Sequence, residues 1–233
     1  AAEAEPYLRE AIALGKTIGA ATRTMALLYH WLGEVVFFRG RGAERVAIAE
    51  EGLALLNPQP ESLELALLTQ VLAWGYFVQD QDCDRCYDLT LSTTAQFLQR
   101  LPYIAELYVA YAHVIAAYLS DDYAGNDVDA AWRWIHILEK KAQAAHDLRG
   151  LADAYDMALC LQQNRGNWKD AQGWSEKALP LYVKIGDELH RLRELEFRGD
   201  IAYGLGDLST ARQHYEAAKR GLCQVAPENE MML

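Results

Sequence analysis

Gly206-Asp207-Leu208-Ser209-Thr210-Ala211 separates one apolar helical stretch from the next, and the same arrangement stands at Gly166-Asn167-Trp168-Lys169-Asp170-Ala171 and Gly125-Asn126-Asp127-Val128-Asp129-Ala130. The recurrence comes at steps of about 40 residues, a fixed period of the kind that marks an internal repeat. Glycine suits the positive-φ residue that ends a helix, and Asn or Asp suits the cap of the following one. Each unit therefore reads as a helical hairpin. Upstream, Trp31-Leu32-Gly33 and Ala73-Trp74-Gly75 repeat at nearly the same step, and continuing it reaches Ala117, Leu159 and Gly199. About five hairpins with a period of about 42 residues account for the chain.

Working outward, the spacing predicts first helices over 20–39, 62–79, 103–120, 147–164 and 187–204, and second helices over 43–56, 84–100, 127–145, 168–183 and 208–222. A further helix over 3–18 carries Ala4, Leu8 and Ala11 at the spacing of a second helix, so the chain reads as starting in mid-repeat within a longer protein. Ala171, Ser175, Ala178 and Ala211, Tyr215, Ala218 share steps of four then three residues, which puts each set on one helical stripe. The prolines punctuate this pattern except Pro180, which falls inside a helix where a kink or an early end is expected. No segment alternates with the period of a strand. The expected fold is all-α.

Gly199, Gly206, Leu208, Ala211, Tyr215 and Ala218, with Gly166, Trp168, Ala171 and Ala178 one unit earlier, resemble the consensus positions of a tetratricopeptide repeat. Tyr29, Leu32, Gly33 and Gly40 give a partial match, and the central units depart from the pattern at Tyr87 and Thr94. The long period is similar to that of carboxy-terminal repeat arrays of bacterial regulatory ATPases and transcriptional activators. This resemblance implies a right-handed α-α superhelix, a TPR-like solenoid spanning 1–225 as one domain, with a disordered tail at 226–233. It also implies a sensor or scaffold role.

Composition narrows the function classes. With 22 basic against 33 acidic residues the net charge is −11, which repels phosphate backbones and anionic lipid heads and argues against nucleic-acid and membrane partners. No stretch approaches the roughly 18 apolar residues of a membrane span. Four cysteines, at 83, 86, 160 and 223, are too few for a disulfide framework in a chain of 233 residues, which points to a reducing, cytoplasmic setting.

Catalytic and metal-binding patterns find no support. Cys83-Asp84-Arg85-Cys86 lacks both the βαβ context of a redox motif and the second ligand pair of a zinc site. The six histidines form no H-x-x-x-H pair, and Arg39-Gly40-Arg41-Gly42 lacks the Lys-Ser/Thr of a phosphate loop. Asp121, Asp122, Asp127 and Asp129 do not have the spacing of a calcium loop. No cofactor is implied.

The aromatic residues divide into two sets. Trp31, Trp74 and Trp168 sit beside glycines at packing positions. If first helices line the inner surface, as the resemblance implies, the groove is formed by His30, Glu34, Phe37, Tyr76, Gln79, Tyr111, Tyr118, Asp153, Asp156, Gln163, Arg193, Glu196, Asp200 and Tyr203. That row is aromatic toward the amino end and acidic toward the carboxyl end. The leading expectation is a non-catalytic recognition or regulatory domain that binds a peptide, a protein or a small effector in this groove. A structural scaffold or oligomerisation module, self-associating through uncapped solenoid ends, is the first rival, and an enzyme of helical-toroid type is the second.

Overall fold

The computed structural model describes residues 3–56, 62–80, 85, 88–89, 103–104, 108 and 128–225, with the backbone alone at 77–80. The regular elements among these are nine α-helices, and no strand occurs among them. They are α1 (Ala4–Ile18), α2 (Thr22–Phe38), α3 (Gly42–Leu56), α4 (Leu63–Asp80), α5 (Val128–Ala145), α6 (Leu148–Asn164), α7 (Trp168–Ile185), α8 (Glu188–Gly204) and α9 (Leu208–Val225). The all-α expectation holds for them, and each agrees with a helix drawn from the sequence to within about three residues. The expected helices over 84–100 and 103–120 lie largely outside the described residues, as do Cys83, Cys86, Tyr111, Tyr118 and the tail at 226–233.

The chain divides into two compact units, 1–114 and 115–233. In the first, α1 packs on α2, α2 on α3 and α3 on α4, and α2 also touches α4. In the second, α5, α6, α7, α8 and α9 each pack on the next. This neighbour-to-neighbour packing of consecutive helices is the arrangement that a helical repeat produces. No helix among the described residues is long and apolar enough to cross a membrane.

The turns explain why the helices stop where they do. Gly166, Gly186 and Gly206 take φ values of 71°, 72° and 85°, a left-handed conformation that costs other residues about 1 kcal/mol or more. Asp147, Asp187 and Asp207 then accept hydrogen bonds from the backbone N–H of Gly150, His190 and Thr210 at 2.9, 3.1 and 3.0 Å, capping α6, α8 and α9. Asn167 stands at the equivalent position, but its amide donates to Gln162 Oε1 at 2.8 Å instead of capping α7.

The small-residue stripe is where helices approach closest. Ala171, Ser175, Ala178, Ala211 and Ala218 are all at most 2% exposed, whereas Tyr215, on the same stripe, is 36% exposed. Tyr215 lies over Gly199, where an added Cβ would come within 2.5 Å of its ring. Trp168 covers Gly204 in the same way, its indole filling the space that a Cβ would take. Trp31 departs from expectation: it is 50% exposed. The buried face of α2 runs through Met25, Tyr29, Leu32 and Val36, and a step of about 100° per residue turns position 31 outward. Pro180 does not end α7, which continues to Ile185. Pro180 and Glu176 are both exposed, so the carbonyl deprived of its helical partner can be hydrated.

Candidate functional site

In the first unit, the expected groove residues are engaged with one another and with the interior. Arg45 of α3 is 2% exposed; its Nε donates to the Val71 carbonyl at 2.9 Å and its Nη2 to Glu34 Oε1 at 2.7 Å. Its guanidinium lies 4.6 Å from the Phe37 ring centroid, so Glu34 and Phe37 form one side of a polar box around a buried cation. His30 is 4% exposed and meets Trp31 edge to face at 4.8 Å. Tyr76 is 6% exposed; its hydroxyl donates to Glu50 Oε1 at 3.3 Å and accepts from Arg85 at 2.8 Å. The side chain of Gln79, with Tyr111 and Tyr118, lies outside the described residues.

In the second unit, α6, α7 and α8 enclose two polar clusters. Arg149 donates through Nε to both carboxylate oxygens of Asp153 at 2.9 Å and pairs through Nη1 with Asp187. The Tyr182 hydroxyl donates to Asp153 Oδ1 at 2.8 Å, and its ring stacks on His190 at 5.2 Å. Burial pushes the Asp153 carboxyl upward against the pull of Arg149. Burial also opposes ionisation of Asp187, but His190 and Arg149 together outweigh it and hold this carboxyl down at about 2.

The second cluster is centred on Glu194, which is 0% exposed. Ser175 Oγ donates to Glu194 Oε2 at 2.8 Å and accepts from Arg198 Nε at 3.0 Å. Burial, and then the nearby charge of Asp156, which is 5% exposed, raise the Glu194 carboxyl well above the usual carboxylate range. Glu194 thus keeps its proton inside the helix stack. No substrate can reach a fully buried carboxyl, so the group serves the packing.

Gln163, Arg193, Glu196 and Asp200 remain half-buried, and Tyr203 is 64% exposed. Gln163 Nε2 donates to the Phe197 carbonyl at 3.2 Å, which ties α6 directly to α8. Arg193 lies 5.5 Å from the Phe197 centroid, and Asp200 accepts from the Tyr215 hydroxyl at 2.6 Å. The carboxyl of Glu196 is raised by burial, opposed by Arg193 and reinforced by Asp200. The structure therefore brings Gln163, Arg193, Glu196 and Asp200 into one charged surface while withdrawing Asp153 and Asp156 into the interior.

Arg149, Ser175, Tyr182, Asp187, His190, Glu194 and Arg198 were not among the expected site residues. Ser175 did carry a signal, because a hydroxyl on a stripe of alanines has to find a polar partner once buried. Among the described residues no cluster of three or more His, Cys, Asp or Glu side chains is placed to hold a metal ion. No family model matches the chain, and no curated protein matches it.

Proposed function

We propose that the chain is a non-catalytic recognition module, built as a right-handed TPR-like superhelix with a period of about 42 residues, that binds a peptide or protein segment along its first helices. As the resemblance implies, such a module would serve a larger signalling or transcription-regulatory protein. The observation that supports this reading is the surface across α6 and α8, where Gln163, Arg193, Glu196 and Asp200 stand together, with Tyr203 exposed one turn from Asp200 on α8. A cation and two carboxyls beside an aromatic ring suit an extended segment that offers both ionic and apolar side chains. The non-catalytic character is supported by Glu194: a carboxyl that burial holds well above the usual range is closed to solvent.

The test is selection of binders from a displayed random-peptide library on the intact protein, followed by titration of the recovered peptides. Tyr203→Ala and Glu196→Gln should each weaken binding by roughly fivefold or more while leaving the melting temperature nearly unchanged. Peptides that bind both variants as tightly as the parent would show that α6 and α8 do not form the recognition face.

A further inference from the structure

We propose that the cleft bounded by α5, α6 and α7 is a binding site for a planar aromatic anion, a ring system of modest size carrying a carboxylate, sulfonate or phosphate. The site is separate from the α6/α8 surface and does not depend on it. The cleft has a volume of about 370 Å³, at the lower end of the range of small-molecule sites.

Its walls are aromatic and braced. Trp132 of α5 and Trp174 of α7 line it, with ring centroids 6.0 Å apart and planes inclined at 40°. Trp174 is held from behind by Tyr155 at 5.6 Å and by the core formed by Leu159, Ala171 and Ile201. Trp132 is held by His136 at 5.6 Å. At that separation the two indoles touch each other, so a flat ring is received against their partly exposed faces rather than between them, and it gains stacking without first having to order them.

The charge of the cleft selects an anion. Lys177 Nζ lies 3.9 Å from the Trp174 centroid and 5.6 Å from that of Tyr155, and Lys169 lines the same opening. Among the described residues neither ammonium has a carboxylate within ion-pair distance, so both charges are available to a ligand. In a chain of net charge −11, Lys169 and Lys177 thus bring two ammonium groups to one aromatic cleft. Asp170, in the first turn of α7, is the counterweight on the lining, leaving two cations against one carboxylate.

Gly173 supplies an independent argument. It lines the cleft from the interior of α7, where alanine would make the more stable helix. Its φ is not positive, and an added Cβ would meet nothing within 4 Å, so neither a turn nor a close helix contact calls for glycine there. What glycine does at this position is leave the helix backbone open to whatever occupies the cleft.

The probe is 2-naphthoate, titrated into the intact protein by calorimetry beside its neutral amide, 2-naphthamide. Naphthoate should bind saturably, the amide roughly tenfold more weakly, and added sodium chloride should reduce the difference. Gly173→Ala should raise the melting temperature and weaken naphthoate binding by roughly tenfold, a combination that damage to the fold cannot produce. Lys177→Gln should abolish the preference for the anion while sparing the amide. Absence of saturable naphthoate binding, equal affinity for the amide, or full affinity in Gly173→Ala would each overturn the proposal. So would saturable binding of an acidic aromatic peptide where naphthoate fails, which would assign the cleft to a polypeptide partner.

Discussion

At Glu194 the fold decides the protonation state. Burial withdraws solvent from the carboxyl and Asp156 stands close by, so the folded protein holds this proton more tightly than the unfolded chain, whose glutamates titrate near 4.5. Stability from this group is therefore complete below the unfolded value and is lost as pH rises through neutrality toward the folded one. Glu194→Gln keeps an acceptor for the Ser175 hydroxyl and a donor toward Asp156 without the ionisation. It should raise stability by about 1–3 kcal/mol near pH 8 and change little near pH 5, as read from paired melting curves. Asp187 has the opposite sign: its contribution is present above the ordinary value of 3.8 and is lost as pH falls toward about 2. The placement of Glu194 was hidden in the sequence because Arg193, Glu194 and Glu196 look alike as charged residues of one helix. A step of about 100° per residue separates the buried carboxyl from its half-exposed neighbours, and the choice between them rests on Ser175 of α7, which tertiary packing brings to Glu194.

At the level of the helices, the turns carry the legible information. Gly166, Gly186 and Gly206 and the caps at Asp187 and Asp207 could be anticipated from residue type because φ and capping are local properties. The turn before α6 breaks the pattern: His146 occupies the left-handed position at φ 54°, where its counterparts are glycines. His146→Gly should therefore stabilise the protein by about 1 kcal/mol, seen as a shift in the urea midpoint with an unchanged slope. The reverse applies at Gly204, where Trp168 fills the space that a Cβ would take. Gly204→Ala should destabilise by about 1–3 kcal/mol through displacement of the indole. If the substitution is neutral by chemical denaturation, the Trp168 contact is not a fixed feature of the α7/α8 packing. The cleft beside Trp132 and Trp174 was illegible for the complementary reason: the two residues lie a whole repeat apart in the chain, and nothing local marks them as neighbours.

For the whole molecule, the distribution of the core governs how it unfolds. In the first unit one cluster gathers Ile12, Met25, Tyr29, Leu32 and Leu68, and a second gathers Ala49, Val71, Leu72 and Tyr76. In the second unit Ala152, Ala178 and Tyr182 form one cluster and Leu159, Ala171 and Ile201 another. Each is built from helices adjacent or nearly adjacent in the chain, as in a repeat whose stability is a sum of units and nearest-neighbour interfaces. Such an array loses cooperativity when one interface is weaker than the rest, and the chain already divides into compact units at 114/115. The protein should therefore unfold in more than one step. Replacing Trp31 and Trp74 by Phe leaves Trp132, Trp134, Trp168 and Trp174 as fluorescent reporters of the second unit alone. In urea, that fluorescence should report a midpoint different from the far-ultraviolet circular dichroism of the whole chain. The calorimetric enthalpy should also exceed the van't Hoff enthalpy. Coincident curves with equal enthalpies would show that the chain folds as one cooperative block and that its clusters are coupled more strongly than neighbour-to-neighbour packing provides.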